Sequence, residues 1–262
     1  ARYGISAGGF GYDWHKFDPR FDLANASYAN EVNRFGWVVE VDPNDPKSAP
    51  IKRTALGRIK HEGAELVIGK GGRAVVYMGD DERFDYVYKF VSRANWKTMI
   101  KEGVSPLDEG TLYVARFDDD GTGVWIELSP KTAQLSSWTL DKILVHTRLA
   151  ADAVGATKMD RPEWGAVNHR NGEIYFALTN NSAANRTPTK VDAANPRAYM
   201  DLDGKKVAGN PNGHIIRFKE SGHKATAKAF AWDIFVFGAE EDSGDANLSG
   251  LTAKNAFSSP DG

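Results

Sequence analysis

The feature that most constrains this 262-residue chain is an internal repeat with a period of about one hundred positions. His61-Glu62-Gly63-Ala64 runs into a short apolar stretch and a Gly71-Gly72 turn, then Arg73-Ala74-Val75-Val76-Tyr77-Met78 and the polar stop Gly79-Asp80-Asp81. Pro162-Glu163-Trp164-Gly165-Ala166 repeats that order, with an Asn171-Gly172 turn, Glu173-Ile174-Tyr175-Phe176-Ala177-Leu178 and the polar stop Thr179-Asn180-Asn181. Ser259-Pro260-Asp261-Gly262 reads as the opening of a third copy, so Glu62 precedes Glu163 by 101 positions and Glu163 precedes Asp261 by 98. Self-similarity at a fixed period marks propellers and solenoids, whose units bury their apolar faces against one another.

Ten segments have strand character: 36–41, 64–68, 74–78, 86–91, 112–117, 124–128, 165–168, 174–178, 214–218 and 229–237. They are short, rich in β-branched and aromatic residues, and separated by Gly, Asp, Asn and Pro. One helix is predicted over 140–154, with Leu140, Ile143, Leu144, Leu149 and Ala153 on one face behind a Ser137 or Thr139 cap. After each polar stop two further strands follow, 86–91 and then 112–117 or 124–128 in the first copy, 214–218 and 229–237 in the second. Each unit is then about four antiparallel strands, the make-up of a propeller blade.

The expected fold is therefore all-β, a single partial β-propeller domain over 1–262 with one inserted helix. Its parts are outer strands of a preceding blade (33–57), a blade (60–130), a helical insertion (138–154), a second blade (161–238) and the start of the next (255–262). Closed propellers need four to eight blades, so both ends read as lying inside a longer polypeptide whose exposed edges predict self-association or pairing with further blades.

In a propeller the first strand of each blade lines the central channel, so Glu62, Glu163 and Asp261 should converge at its mouth. Carboxylates brought that close repel unless cations or protons compensate, and hard cations take several oxygen ligands. Alternatively, these acids cap turns by accepting backbone N–H bonds. Arg161 lies two residues before Glu163 and should share its side in extended backbone. A planar guanidinium beside bound metal suits phosphate, while Arg161 taken as an isolated feature reads first as a plain ion pair with Glu163 or Asp160. His61 should point away from Glu62 and pack rather than ligate, and the other histidines show no ligand spacing. Asp80, Asp81, Asn180 and Asn181 read as turn residues, as do Asp118-Asp119-Asp120-Gly121 and Asp201-Leu202-Asp203-Gly204, which lack the further ligands of a calcium loop.

Composition removes several classes. Lys plus Arg number 33 against 35 for Asp plus Glu, so no global field draws the chain to nucleic acid or an anionic membrane. No apolar run approaches a membrane span, and the seven tryptophans are spread as for packing between sheets rather than for stacking on bases. With no cysteine, disulfides, thiolate metal sites and a cysteine nucleophile are absent from these residues.

Several strings resemble the bacterial PhoX-type alkaline phosphatases: Asn33-Arg34-Phe35-Gly36-Trp37-Val38-Val39-Glu40, Arg53-Thr54-Ala55-Leu56-Gly57-Arg58 into Lys60-His61-Glu62-Gly63-Ala64, Val76-Tyr77-Met78-Gly79-Asp80-Asp81-Glu82-Arg83-Phe84, and Thr147-Arg148-Leu149-Ala150-Ala151-Asp152 into Lys158-Met159-Asp160-Arg161-Pro162-Glu163-Trp164. The resemblance covers nearly the whole chain. It implies a six-bladed propeller, exported by the twin-arginine route to the periplasm or beyond, that hydrolyses small-molecule phosphate monoesters at a cluster of ferric iron (Fe3+) and calcium (Ca2+) ions. On it, Glu62 and Glu163 are metal-bridging carboxylates, Asp261 is a calcium ligand, and Arg161 grips phosphate and steadies the transition state. The family's iron-binding cysteine lies upstream of the part resembling Arg2-Tyr3-Gly4-Ile5-Ser6, which leaves the iron site incomplete here. Two other readings stay open: a non-catalytic propeller piece with structural calcium, and a calcium-dependent lactonase or phytase-like propeller hydrolase.

Overall fold

A computed structural model of the chain describes residues 2–3, 12–181, 186–200, 208–238 and 258–261. Two short strands, β1 (Val39–Glu40) and β2 (Ile51–Lys52), pair with each other ahead of the main sheet. The sheet is built from β3 (Glu65–Ile68), β4 (Arg73–Gly79), β5 (Val87–Asn95), β6 (Gly110–Phe117), β7 (Thr122–Glu127), β8 (Pro162–Asn168) and β9 (Glu173–Leu178). After a small pair, β10 (Tyr199–Met200) with β11 (Ala208–Gly209), it is completed by β12 (His214–Glu220) and β13 (Ala229–Phe237).

These nine strands are hydrogen-bonded in the order β3-β4-β5-β6-β7-β13-β12-β9-β8, and every pairing is antiparallel. The architecture is all-β and propeller-like: β3 to β6 form one four-stranded unit, and β8, β9, β12 and β13 form the next. Both segments expected to compete for the fourth place, 112–117 and 124–128, fall on strands. The Asp118–Gly121 turn closes them into a hairpin, with Asp118 N–H on Thr122 O at 2.8 Å. β7 thereby reaches across to β13, pairing Val124 with Ala229 and Thr122 with Ala231, and joins the two units at their outer edges.

Burial follows from this stacking. β9 and β12 alternate, with Ile174, Phe176, Leu178, Ile216 and Phe218 facing the first unit. β4 is buried on both faces after Arg73, because Val75 and Tyr77 meet the second unit while Val76 and Met78 meet a layer of helices. Fully burying side chains of this size stabilises by roughly 1.5–3 kcal/mol each. Within the inter-unit core, Glu220 accepts from Lys89 Nζ (2.8 Å), Tyr77 Oη (2.8 Å) and Trp125 Nε1 (3.1 Å), so this buried charge is fully engaged.

The helix expected over 140–154 is instead two, α2 (Leu140–Val145) and α3 (Thr147–Ala153), after a short α1 (Trp96–Lys101) that the sequence pattern does not announce. The break has an identifiable cause. Leu144 O accepts Arg58 N–H (2.9 Å) and the Thr147 hydroxyl (2.7 Å), and Arg148 N–H donates to Tyr3 Oη (3.2 Å). The backbone bond that would continue the helix is replaced by tertiary ones. Ile143, Ala150 and Ala151 are buried, whereas Leu140 (50 %) and Leu149 (39 %) are exposed, unlike the single apolar face predicted. No helix among the described residues is long and apolar enough to cross a membrane.

Candidate functional site

The strand ends opposite the Gly71-Gly72 and Asn171-Gly172 turns carry the site. In the first unit the hairpin of β3 and β4 returns the chain to its starting end. Glu62 N–H donates to Gly79 O (3.3 Å), Asp81 N–H donates to Lys60 O (2.9 Å), and His61 bridges Asp80. Glu62 and Asp81 are thereby delivered together.

The second unit contributes Arg161 and Glu163 on less regular backbone. β8 pairs with β9 at Pro162 and Leu178, and again at Gly165 and Phe176, so one extra residue lies between them on β8. Glu163 sits in this bulge. Bulges re-aim side chains next to functional sites. Arg161, just before it, has φ +61°. The alternation that predicted a shared side for Arg161 and Glu163 therefore does not apply. Their side chains still meet, because bulge and left-handed turn compensate.

Gly79 lets the two units close on each other here. A Cβ on it would lie 2.4 Å from Glu163 O, too close for any side chain. With β8 drawn against β4, one carboxylate oxygen from each of Glu62, Asp81 and Glu163 lies within 4.8 Å of the others. Arg161 Nε donates to Asp81 Oδ1 (2.7 Å) and approaches Glu163 Oε1 to 3.3 Å. Glu163 is only 1 % exposed, and its Oε1 has no hydrogen-bond partner among the described residues.

Burial, then the neighbouring Asp81 and Asp261 carboxyls, push the Glu163 carboxyl up to about 9, against a smaller opposing effect of Arg161. Glu62 is raised too, first by burial, then by Asp81 and Asp261, with Arg161 again opposing. Without a cation Glu163 holds its proton into the neutral range, and a bound cation would displace it.

Of the residues the sequence singled out, Glu62, Glu163 and Arg161 are brought together. Asp261 is exposed at the margin: its backbone O accepts Trp164 N–H (3.3 Å) and its carboxyl acts on Glu163, but it is not one of the three mutually close carboxylates. Asp81, read as a turn residue, is the third. The missed signal was the hairpin itself, which must return a polar stop to the side of the blade start. His61 behaves as a packed residue, with Nε2 on Gly57 O (2.9 Å) and burial holding it down to about 4. Asp201 and Asp203 lie outside the described residues. Trp164, expected to pack between sheets, is 54 % exposed beside Glu163.

The family model that matches, described as alkaline phosphatase PhoX, covers residues 1–262. Among solved structures the chain is similar to Pseudomonas fluorescens PhoX in complex with vanadate, a transition state analogue, with 45 % sequence identity and a TM-score of 0.86 over 100 % of this chain. The chain spans about half, 46 %, of the length of that protein. No curated protein sequence matches the chain significantly.

Proposed function

The chain belongs to the PhoX alkaline phosphatase family, and from that premise we propose that its carboxylate cluster is the metal-holding part of a phosphate monoester hydrolase, with Arg161 as the phosphate grip. The observation that carries this is the meeting of three carboxylates from two units, Glu163 buried among them, with a guanidinium against two of them.

The donor set fits a hard cation, since all three groups offer carboxylate oxygen and the buried Glu163 Oε1 takes no hydrogen bond among the described residues. Glu62, Asp81 and Glu163 would hold it, with Asp261 at the edge. Calcium suits these donors directly. Ferric iron accepts the same oxygens, while the thiolate that the family resemblance adds is not among these cysteine-free residues. When bound, the cations supply positive charge that offsets charge on the phosphoryl oxygens.

The chain's own residues do the rest. Arg161 spends Nε on Asp81, and among the described residues no hydrogen bond engages its terminal nitrogens. Those donors can take two oxygens of one phosphoryl group in a planar fork. Asp81 and Glu163 fix the guanidinium in advance, so little ordering remains when charge develops in the transition state. Small phosphate monoesters are the proposed substrates; a place in the periplasm or outside the cell belongs to the same reading, and cell fractionation tests it.

Release of p-nitrophenol from its phosphate ester tests the activity, with the 262-residue chain and with a chain extended to the length of its Pseudomonas relative, each with and without calcium and ferric ions. Cation-dependent hydrolysis by the extended chain, lost on chelation, is the expected result. Calcium binding at Glu62, Asp81 and Glu163 with no hydrolysis at either length would leave a structural calcium site.

A further inference from the structure

Arg161 has a backbone that its neighbours in sequence disfavour twice. A non-glycine residue at φ +61° is in the left-handed region, and the residue before a proline, here Pro162, is normally driven to extended backbone. Such a conformation persists only where the surroundings hold it. On the far side, Thr179 N–H donates to Arg161 O at 3.1 Å. On the near side stands Asp160, fully buried.

The Asp160 carboxylate accepts from Asn181 Nδ2 (2.9 Å), Asn210 Nδ2 (2.9 Å) and Arg186 Nε (2.8 Å), while its own N–H donates to Asn195 Oδ1 (2.9 Å). Its backbone bridges Arg83 of the first unit. Phe84, next to Arg83, is also left-handed (φ +65°), and the Arg186 guanidinium lies 4.7 Å over its ring. The crossing between the two units is thus tied around one carboxylate, with a left-handed residue on each side. Both amides turn their Nδ2 donors to that carboxylate. Asn181 Oδ1 and Asn210 Oδ1 are buried without hydrogen-bond partners among the described residues.

We propose that Asp160 is the positioning residue of Arg161: its anchored carboxylate holds the left-handed turn that aims the guanidinium at Asp81 and Glu163. The inference rests on the reading of Arg161 as the phosphate grip and adds the group that sets its aim. Asp160 pairs with Arg186 and not with Arg161, so its effect on the reaction passes through the backbone.

A double-mutant cycle tests this in the full-length protein with saturating calcium, using Asp160→Asn, Arg161→Met and the pair. The readouts are kcat/KM for p-nitrophenyl phosphate, inhibition by vanadate, calcium affinity and thermal midpoint. Asp160→Asn should lower kcat/KM and weaken vanadate inhibition roughly tenfold or more. Calcium affinity should stay unchanged, and in the Arg161→Met background the same change should cost less than about twofold. Asn181→Ala removes one amide donor only, and should show a smaller loss that also vanishes in that background, should Asp160→Asn not fold. Additive losses, or losses that follow only the thermal midpoint, would overturn the positioning role. Wild-type turnover by Arg161→Met would overturn the phosphate-grip reading itself, and this inference with it.

Discussion

The two units share one strand plan yet deliver their functional groups by different means. In the first, Glu62 lies in a bend ahead of β3 and Asp81 follows β4, tied through the isolated bridge of His61 to Asp80, and Asp80 is locked by Arg148 of α3 at Nε (2.7 Å) and by Lys60 N–H (3.0 Å). In the second, Glu163 occupies the equivalent one-residue shift, but Arg161, ahead of it on the chain, takes a left-handed turn. Where the first polar stop has Asp80-Asp81, the second has Asn180-Asn181, and Asn181 donates to the anchor Asp160 rather than adding charge. At the polar stop the repeat therefore copies backbone placement and not chemistry. Further carboxylates from the second unit would crowd a site whose Glu163 is already driven far above its ordinary value, so amides serve there as donors.

This contrast can be broken most forcefully in the first unit. Arg148→Met leaves Asp80 buried without its cation and should destabilise the chain by about 3–5 kcal/mol. Asn181→Ala, which deletes one amide donor in the second unit, should cost about 1–3 kcal/mol. Urea unfolding of the two variants compares them, and equal losses would deny that the anchors differ in kind. Glu163→Gln should lower phosphate ester hydrolysis by roughly 10²–10³-fold. The same change should raise metal-free stability, because the displaced carboxyl no longer resists ionisation. Thermal melts with and without calcium check that reversal of sign.

Gly79→Ala tests the approach of the units directly. The added methyl meets Glu163 O, so a loss of about 1–3 kcal/mol is expected together with weaker calcium binding, measured by calorimetry. The smallest effect per step is the pH slope. Glu163 titrates at about 9 in the folded chain against an ordinary 4.5, so the folded state holds the proton that the unfolded state releases. Its contribution to metal-free stability is complete below the ordinary carboxyl range and is lost as pH rises through about 9, by at most about 1.4 kcal/mol per pH unit. Glu62, raised in the same direction, adds to the slope, and calcium should flatten it. Glu163→Gln melts across this range should remove most of the dependence.

How much of this was legible depends on what each residue needed. The apolar runs of β4, β5, β9 and β12 announce themselves, because burial demands β-branched and aromatic side chains with period two or unbroken. Glu62 and Glu163 stand out because the repeat marks equivalent positions. Asp81 does not, since an Asp after a strand is ordinary turn chemistry until the hairpin is closed. The split of α2 from α3 is invisible for a related reason: the apolar spacing over 140–154 is helical, and only Arg58, distant in sequence, claims the Leu144 carbonyl.

What the sequence alone determined was the all-β repeat, its turns and the acids at the blade starts, because strand propensity, alternation and turn residues act over a few neighbouring positions. The tertiary structure decided that Glu163 lies in a bulge, that Arg161 turns left-handed beside Pro162, and that Gly79 lets one backbone rest on another. Those features depend on contacts between segments separated in the chain, Gly79 against Glu163 O and Asp160 held by Asn181 and Asn210, which no local pattern records.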